Sequence, residues 1–248
     1  MVWLMVFWLG CAAGFRTADM VAEADPISRA SDTLMHELSR FCDVSQLTLR
    51  DSVLASAPPS VMRADRAADP YHESTHVVLS VPASLLLTEE TLRTGMLAHF
   101  VGHPEFRKHL TDKRLQLPRY FMFALFVLYQ QYSDGERHGD ALWRAWAEWH
   151  ALARTGEQSL AFWSTEELHE LEEERLLQSA EERRRAVAEQ YESLFEPLCA
   201  LFPDFFPVER IGRHGFAHAI AVATSQAMRV DGVDEPALLP LPLQVSRG

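Results

Sequence analysis

The 248-residue sequence is short of cysteine, of positive charge and of glycine-rich motifs. Its three cysteines, Cys11, Cys42 and Cys199, lie far apart and include no C-x-x-C pair, so neither a disulfide framework nor a zinc knuckle is indicated and they read as ordinary buried thiols. Lys and Arg number 23 against 35 Asp and Glu, a net charge of -12. Phosphate neutralisation needs clustered cations, so this balance argues against a nucleic-acid surface and for a protein or small-molecule partner. No G-x-G-x-x-G, G-x-x-x-x-G-K-[ST] or G-x-S-x-G string occurs, which removes motif support for nucleotide binding and serine hydrolysis. Internal repeats and long low-complexity segments are missing too.

Long apolar runs are equally scarce. Residues 1–14, MVWLMVFWLGCAAG, form an apolar stretch, shorter than the roughly 20 residues a bilayer span needs and closer to a signal-peptide core. No Lys or Arg precedes it and Arg16 follows it, so a targeting or anchor segment over 1–27 stands beside a buried N-terminal helix or a misplaced start. The compartment stays open between secretory and plastid targeting, and any membrane contact would run through this segment. The nine-residue apolar stretch 121–129 is too short to span and reads as a buried helix.

What the chain does have is helical signal. Leu34, Leu38 and Phe41 share a helical spacing after a cap at Ser31 or Asp32, which predicts a short helix over 31–42. Pro58-Pro59 and Asp69-Pro70 break the pattern, and the β-branched run 77–81 ending at Pro82 predicts a strand. From Thr88 onward helices dominate: one from Thr88 to about Phe100, one opening at Pro118, and two introduced by the capping-box strings Ser164-Thr-Glu-Glu167 and Ser179-Ala-Glu-Glu182. Pro197 predicts a kink or stop near Glu196. Residues 216–228 read as a buried helix, followed by a turn at Asp231-Gly232. The expected class is α+β, predominantly α-helical. The expected organisation is a leader (1–27), an N-terminal helix with an edge strand (28–87), a helical insert (88–230) and a C-terminal strand region (231–248).

Four segments stand in a telling order: Val77-Val-Leu-Ser-Val-Pro-Ala-Ser-Leu-Leu-Leu-Thr88, Phe162-Trp-Ser-Thr-Glu-Glu-Leu168, Leu201-Phe-Pro-Asp-Phe-Phe206 and Gly215-Phe-Ala-His-Ala-Ile-Ala-Val-Ala-Thr-Ser-Gln-Ala-Met228. In this order and spacing the chain, over roughly residues 60 to 241, resembles the SET-domain protein methyltransferases of the Rubisco-lysine and actin-histidine type. The resemblance implies a partial SET domain with a large helical insert. It also implies S-adenosylmethionine as methyl donor and a protein lysine, or a histidine, as acceptor. The family holds the donor with a glycine entry, strand residues before V-P, the arginine of S-R-x-F and an Asn-His pair. Here these positions fall on the glycine-free stretch Pro58-Pro-Ser-Val-Met62, on His76, Val77 and Val78, and on Ser225 and Gln226. After Ala237-Leu-Leu-Pro-Leu241 no Asn-His pair and no channel tyrosine follow. The expectation is therefore a truncated or degenerate methyltransferase without catalytic residues of its own, or a non-catalytic protein-binding module derived from one.

Rival motifs stand or fall on their context. His72-Glu-Ser-Thr-His76 spells the H-E-x-x-H of zinc hydrolases, but Pro70 before it and Val77-Val78 after it suggest loop entering strand, whereas zinc chemistry needs both histidines on one helix face. A zinc hydrolase using His72, Glu73 and His76 ranks third. His99 and His103 read as a solvated helix end, Trp143, Trp146 and Trp149 as core, and the charge-dense stretch 166–185 as a pair of amphipathic helices.

Overall fold

Helix is forced on the centre of this protein by residues that have nowhere polar to point. In a computed structural model, residues 25–41, 47–49, 62–64, 83–133, 141–170, 174–230 and 233–240 are described. They form a mostly helical α+β structure, as expected. Helix α1 covers Pro26–Ser39. Strands β1 (Leu47–Leu49) and β2 (Met62–Ala64) pair antiparallel, Thr48 opposite Arg63. Strand β3 (Leu87–Thr88) leads into α2 (Glu89–Thr94), α3 (Ala98–Val101) and α4 (Pro104–Lys113). Helix α5 (Phe121–Tyr132) is the core, with every residue from Phe121 to Gln130 buried.

Two helices cover α5. Helix α6 (Ala141–Leu152) packs against α5 on one side and α1 on the other. It buries Trp143, Trp146 and Trp149, whose three-residue spacing is thus core spacing. Then come α7 (Thr165–Glu170), α8 (Glu174–Gln190), a π-turn over Tyr191–Phe195, α9 (Glu196–Leu201) and α10 (Val208–Gln226), which lies along α5. Strand β4 (Ala237–Leu238) returns to pair antiparallel with β3, Leu87 opposite Leu238 and Thr88 opposite Ala237.

Several boundaries differ from expectation for local reasons. Helix α1 starts five residues early because Pro26 sits in its first turn, where a missing N–H costs nothing; Leu34 and Leu38 are buried but Phe41 is exposed. The helix expected from Thr88 to Phe100 is two, divided at Gly95, although the Thr88–Thr91 capping box does open the first. Pro118 opens a turn rather than a helix: its carbonyl accepts the Phe121 N–H, and Tyr120 is left-handed at φ 69° with its N–H donating to Glu89 Oε1 at 2.7 Å. The Ser164 box forms reciprocally, Glu167 N–H to Ser164 Oγ at 3.1 Å and Ser164 N–H to Glu167 Oε2 at 2.7 Å. The Ser179 string caps nothing, since α8 already began at Glu174.

Pro197 acts as expected and shows why. It has no N–H to give the Ser193 carbonyl one turn back, the helix widens into the π-turn just before it, and His109 Nε2 sits 2.8 Å from that freed oxygen. Helix α10 begins at Val208, breaks at Gly212 (φ 55°) and ends at Gln226, so Met228 lies outside it and bridges Ala237 instead. Ala237 and Leu238 are wholly buried, Ala237 held between Thr88 of β3 and Met228, and Leu238 paired with Leu87. The strand expected over 77–81, the H-E-x-x-H string and the leader fall outside the described residues. No described helix is long and apolar enough to cross a membrane.

Candidate functional site

The region to examine is the C-terminal end of α10, where two of the residues assigned to donor binding sit. Ser225 is exposed and lines a hollow of about 310 Å³ together with Thr155, Gly156, Ser159, Arg183, Ala221 and Thr224. Its hydroxyl donates back to the Val222 carbonyl at 3.1 Å, and that of Thr224 to the Ile220 carbonyl, so both protons are spent within the helix. Gln226 is buried and does not line the hollow; its Nε2 donates to Ser225 Oγ at 3.4 Å. His76, Val77 and Val78 lie outside the described residues.

Behind the hollow is a polar pair that sequence reading missed. Thr155–Gln158 forms a 3-10 turn against α10. His150, fully buried at the end of α6 between the rings of Trp146 and Trp149, places Nδ1 2.7 Å from Thr155 Oγ1. The next residue, Gly156, gives its N–H to His218 Nε2 at 3.3 Å. A β-carbon on Gly156 would stand 2.7 Å from the His218 ring and 2.8 Å from its carbonyl oxygen, so only glycine lets the turn approach α10 this closely. The sequence signal was present in Thr155-Gly156 after a helix and in a histidine, His218, flanked by alanines in a helix, but nothing in it links residues 62 positions apart.

Burial, with the neighbouring His218 adding to it, pushes the His150 imidazole down to about 3. It is neutral at any ordinary pH, and among the described residues its Nε2 has no partner and no carboxylate orients it. The His150–Thr155 pair therefore has the spacing of a base and a hydroxyl without the basicity or the third group that activates one. It is a structural bond holding the floor of the hollow. Burial, then Glu196, pushes the Cys199 thiol up to about 12, so it is an inert core thiol. Among the described residues no group of His, Cys, Asp and Glu could hold a metal ion.

Of the histidine pair, His99 is exposed in the last turn of α3, as expected, whereas His103 is half-buried at the start of α4. Both rings also stand edge-on to Phe202 of the F-P-x-x-F segment, at 5.3 and 5.2 Å.

Of the five residues assigned to S-adenosylmethionine, only Ser225 and Gln226 are described, and of these only Ser225 lines the hollow. Ser225 offers a hydroxyl oxygen to the hollow, but Gln226 is turned away from it into the protein. A charged arginine buried in its place would lose far more hydration free energy than a neutral amide does. Comparison with family models, with curated proteins and with solved structures finds no match.

Proposed function

We propose that this chain carries the helical insert and flanking strands of a SET-type protein-lysine or histidine N-methyltransferase, in a form that holds S-adenosylmethionine weakly or not at all. The observation that supports this reading is the way the helical region closes. The Leu-Thr end of the V-P-x-x-L-L-L-T segment, at Leu87 and Thr88, pairs with Ala237 and Leu238. A helical excursion of almost 150 residues thus leaves and returns on adjacent antiparallel strands, as an insert into another domain must. Ser225 and Gln226 precede the Met228–Ala237 bridge by only a few residues, so the helix end and the closing strands meet at one place. The donor would supply a methyl group on a cationic sulfur; the part of the chain described here would supply the grip on a protein.

A non-catalytic protein-binding module is the second reading, favoured by the burial of Gln226 away from the hollow. Isothermal titration of the full chain with S-adenosylmethionine tests the weak-donor half of the first reading. We expect no saturable heat at submillimolar donor. Stoichiometric binding, or methyl transfer to a protein acceptor, would mean that donor contacts outside Ser225 and Gln226 suffice and would overturn the weak-donor half of this reading.

A further inference from the structure

We infer that the groove between α8 and α10 binds an acidic protein segment, one large apolar side chain flanked by carboxylates. The inference needs only the groove and rests on no step of methyl transfer. Val187, Ala188 and Tyr191 of α8 and the π-turn form one wall, and Ala217, Ile220 and Ala221 of α10 the other. The alanines keep the facing helix surfaces low, and the two helices separate into a hollow of about 160 Å³. A hollow of ~150 Å³ takes a benzene-sized group, so this one matches a single phenylalanine or leucine side chain.

The rim sets the sign of the partner. Arg183, Arg184 and Arg213 stand around the hollow and no Asp or Glu among the described residues lines it, in a chain whose net charge is -12. Arg184 uses Nε on the Ala161 carbonyl at 2.9 Å, which fixes its guanidinium at the rim. Arg213 meets Glu192 at 2.6 Å, but both side chains are more than half exposed and such a pair holds weakly. Arg183 has no acidic partner among the described residues and borders both this hollow and the one at Ser225. Guanidinium forks match carboxylates two bonds at a time, so an acidic segment satisfies the rim while its apolar side chain fills the floor. Three cations on an acidic protein are too few for a nucleic-acid backbone, whose affinity grows with the number of phosphates neutralised.

The test uses the full chain and a fluorescent nine-residue peptide with phenylalanine at its centre and two glutamates on each side. Saturable anisotropy is expected, weakened at least about tenfold by raised salt and by Arg183→Glu, whose site is exposed and leaves folding intact. Ala217→Phe, which fills the hollow, is expected to abolish it. The proposal is overturned by no binding, by equal binding of the peptide with lysine for glutamate or glycine for phenylalanine, or by stronger competition from single-stranded oligonucleotide or anionic vesicles. It is also overturned if Arg183→Glu shifts the melting temperature while peptide affinity stays put, because the groove would then be filled by the chain's own residues. Donor titration in parallel keeps this outcome separate from the fate of the methyltransferase reading.

Discussion

Helices α5 and α8 lie in one helical array and share almost nothing in how they are held. Helix α5 has twelve residues, of which only Gln131 and Tyr132 escape full burial. Helix α8 has seventeen, of which only Ala180 is buried. The first is a helix because its backbone must satisfy itself inside an apolar core; the second because good helix formers continue from Glu174 to Gln190 with one half-buried edge against α10 and the turn at Leu160–Phe162. The difference separates what each can do. Any change on α5 disturbs packing, whereas the exposed faces of α8 are free to carry Arg183, Arg184 and Arg185 for another purpose.

The comparison breaks most severely at the core end. Trp146 is wholly buried in α6, edge-on to Trp143 and to His150 at 5.4 and 4.4 Å. Truncating it leaves a large cavity beside α5 that rigid helices cannot close. Trp146→Ala is expected to cost about 3–5 kcal/mol, read as a lower urea midpoint with an unchanged slope. A loss below about 1 kcal/mol would mean that the α5–α6 packing is not the main support of the fold.

A smaller effect tests the polar seam between core and hollow. His150 sits near 3 in the folded protein against 6.5 when unfolded. Below pH 6.5 the unfolded chain binds a proton that the folded chain refuses, so stability falls as pH falls and stops falling only near pH 3. The loss from this group between about pH 7.5 and about pH 5.5 is about 1.4 kcal/mol. Urea melts at the two pH values should show that loss in the native protein and lack it in His150→Leu. Equal pH dependence in both would place the titration on other groups.

Much of this architecture could be read from the chain, and the failures have physical causes. The helical class, the buried 121–129 stretch, the tryptophan core, the Ser164 box and the break at Pro197 follow from local pattern, since each is decided within one or two turns. The Ser179 string failed because a capping box matters only where a helix begins, and Glu174 had already begun one. Met228 failed because its partner, Ala237, lies across a turn and pulls it out of the helix. The buried fate of Ala237 and Leu238 depended on Leu87 and Thr88, far upstream in sequence, and the Gly156–His218 contact on a pairing across 62 positions. Of the candidate donor residues, the pattern located Ser225 and Gln226 at a helix end but could not tell that Gln226 turns inward.

The smallest effect is the sharpest test of the contrast between the two helices. Arg183 is exposed, borders both hollows and has no acidic partner among the described residues. Removing it takes away no ion pair formed among the described residues, so the folded protein should register the loss little. Arg183→Ala is expected to change stability by no more than about 0.5 kcal/mol, within the error of paired urea melts. If the arginine is held away from acids so that a partner can use it, the same substitution should still weaken the acidic peptide, and more so at low salt than at high salt. A destabilisation near that of a core substitution would place α8 in the same category as α5 and remove the reason for assigning its cations to a partner. Silence in stability together with a salt-dependent loss of binding is the combination that a purely structural role for α8 does not produce.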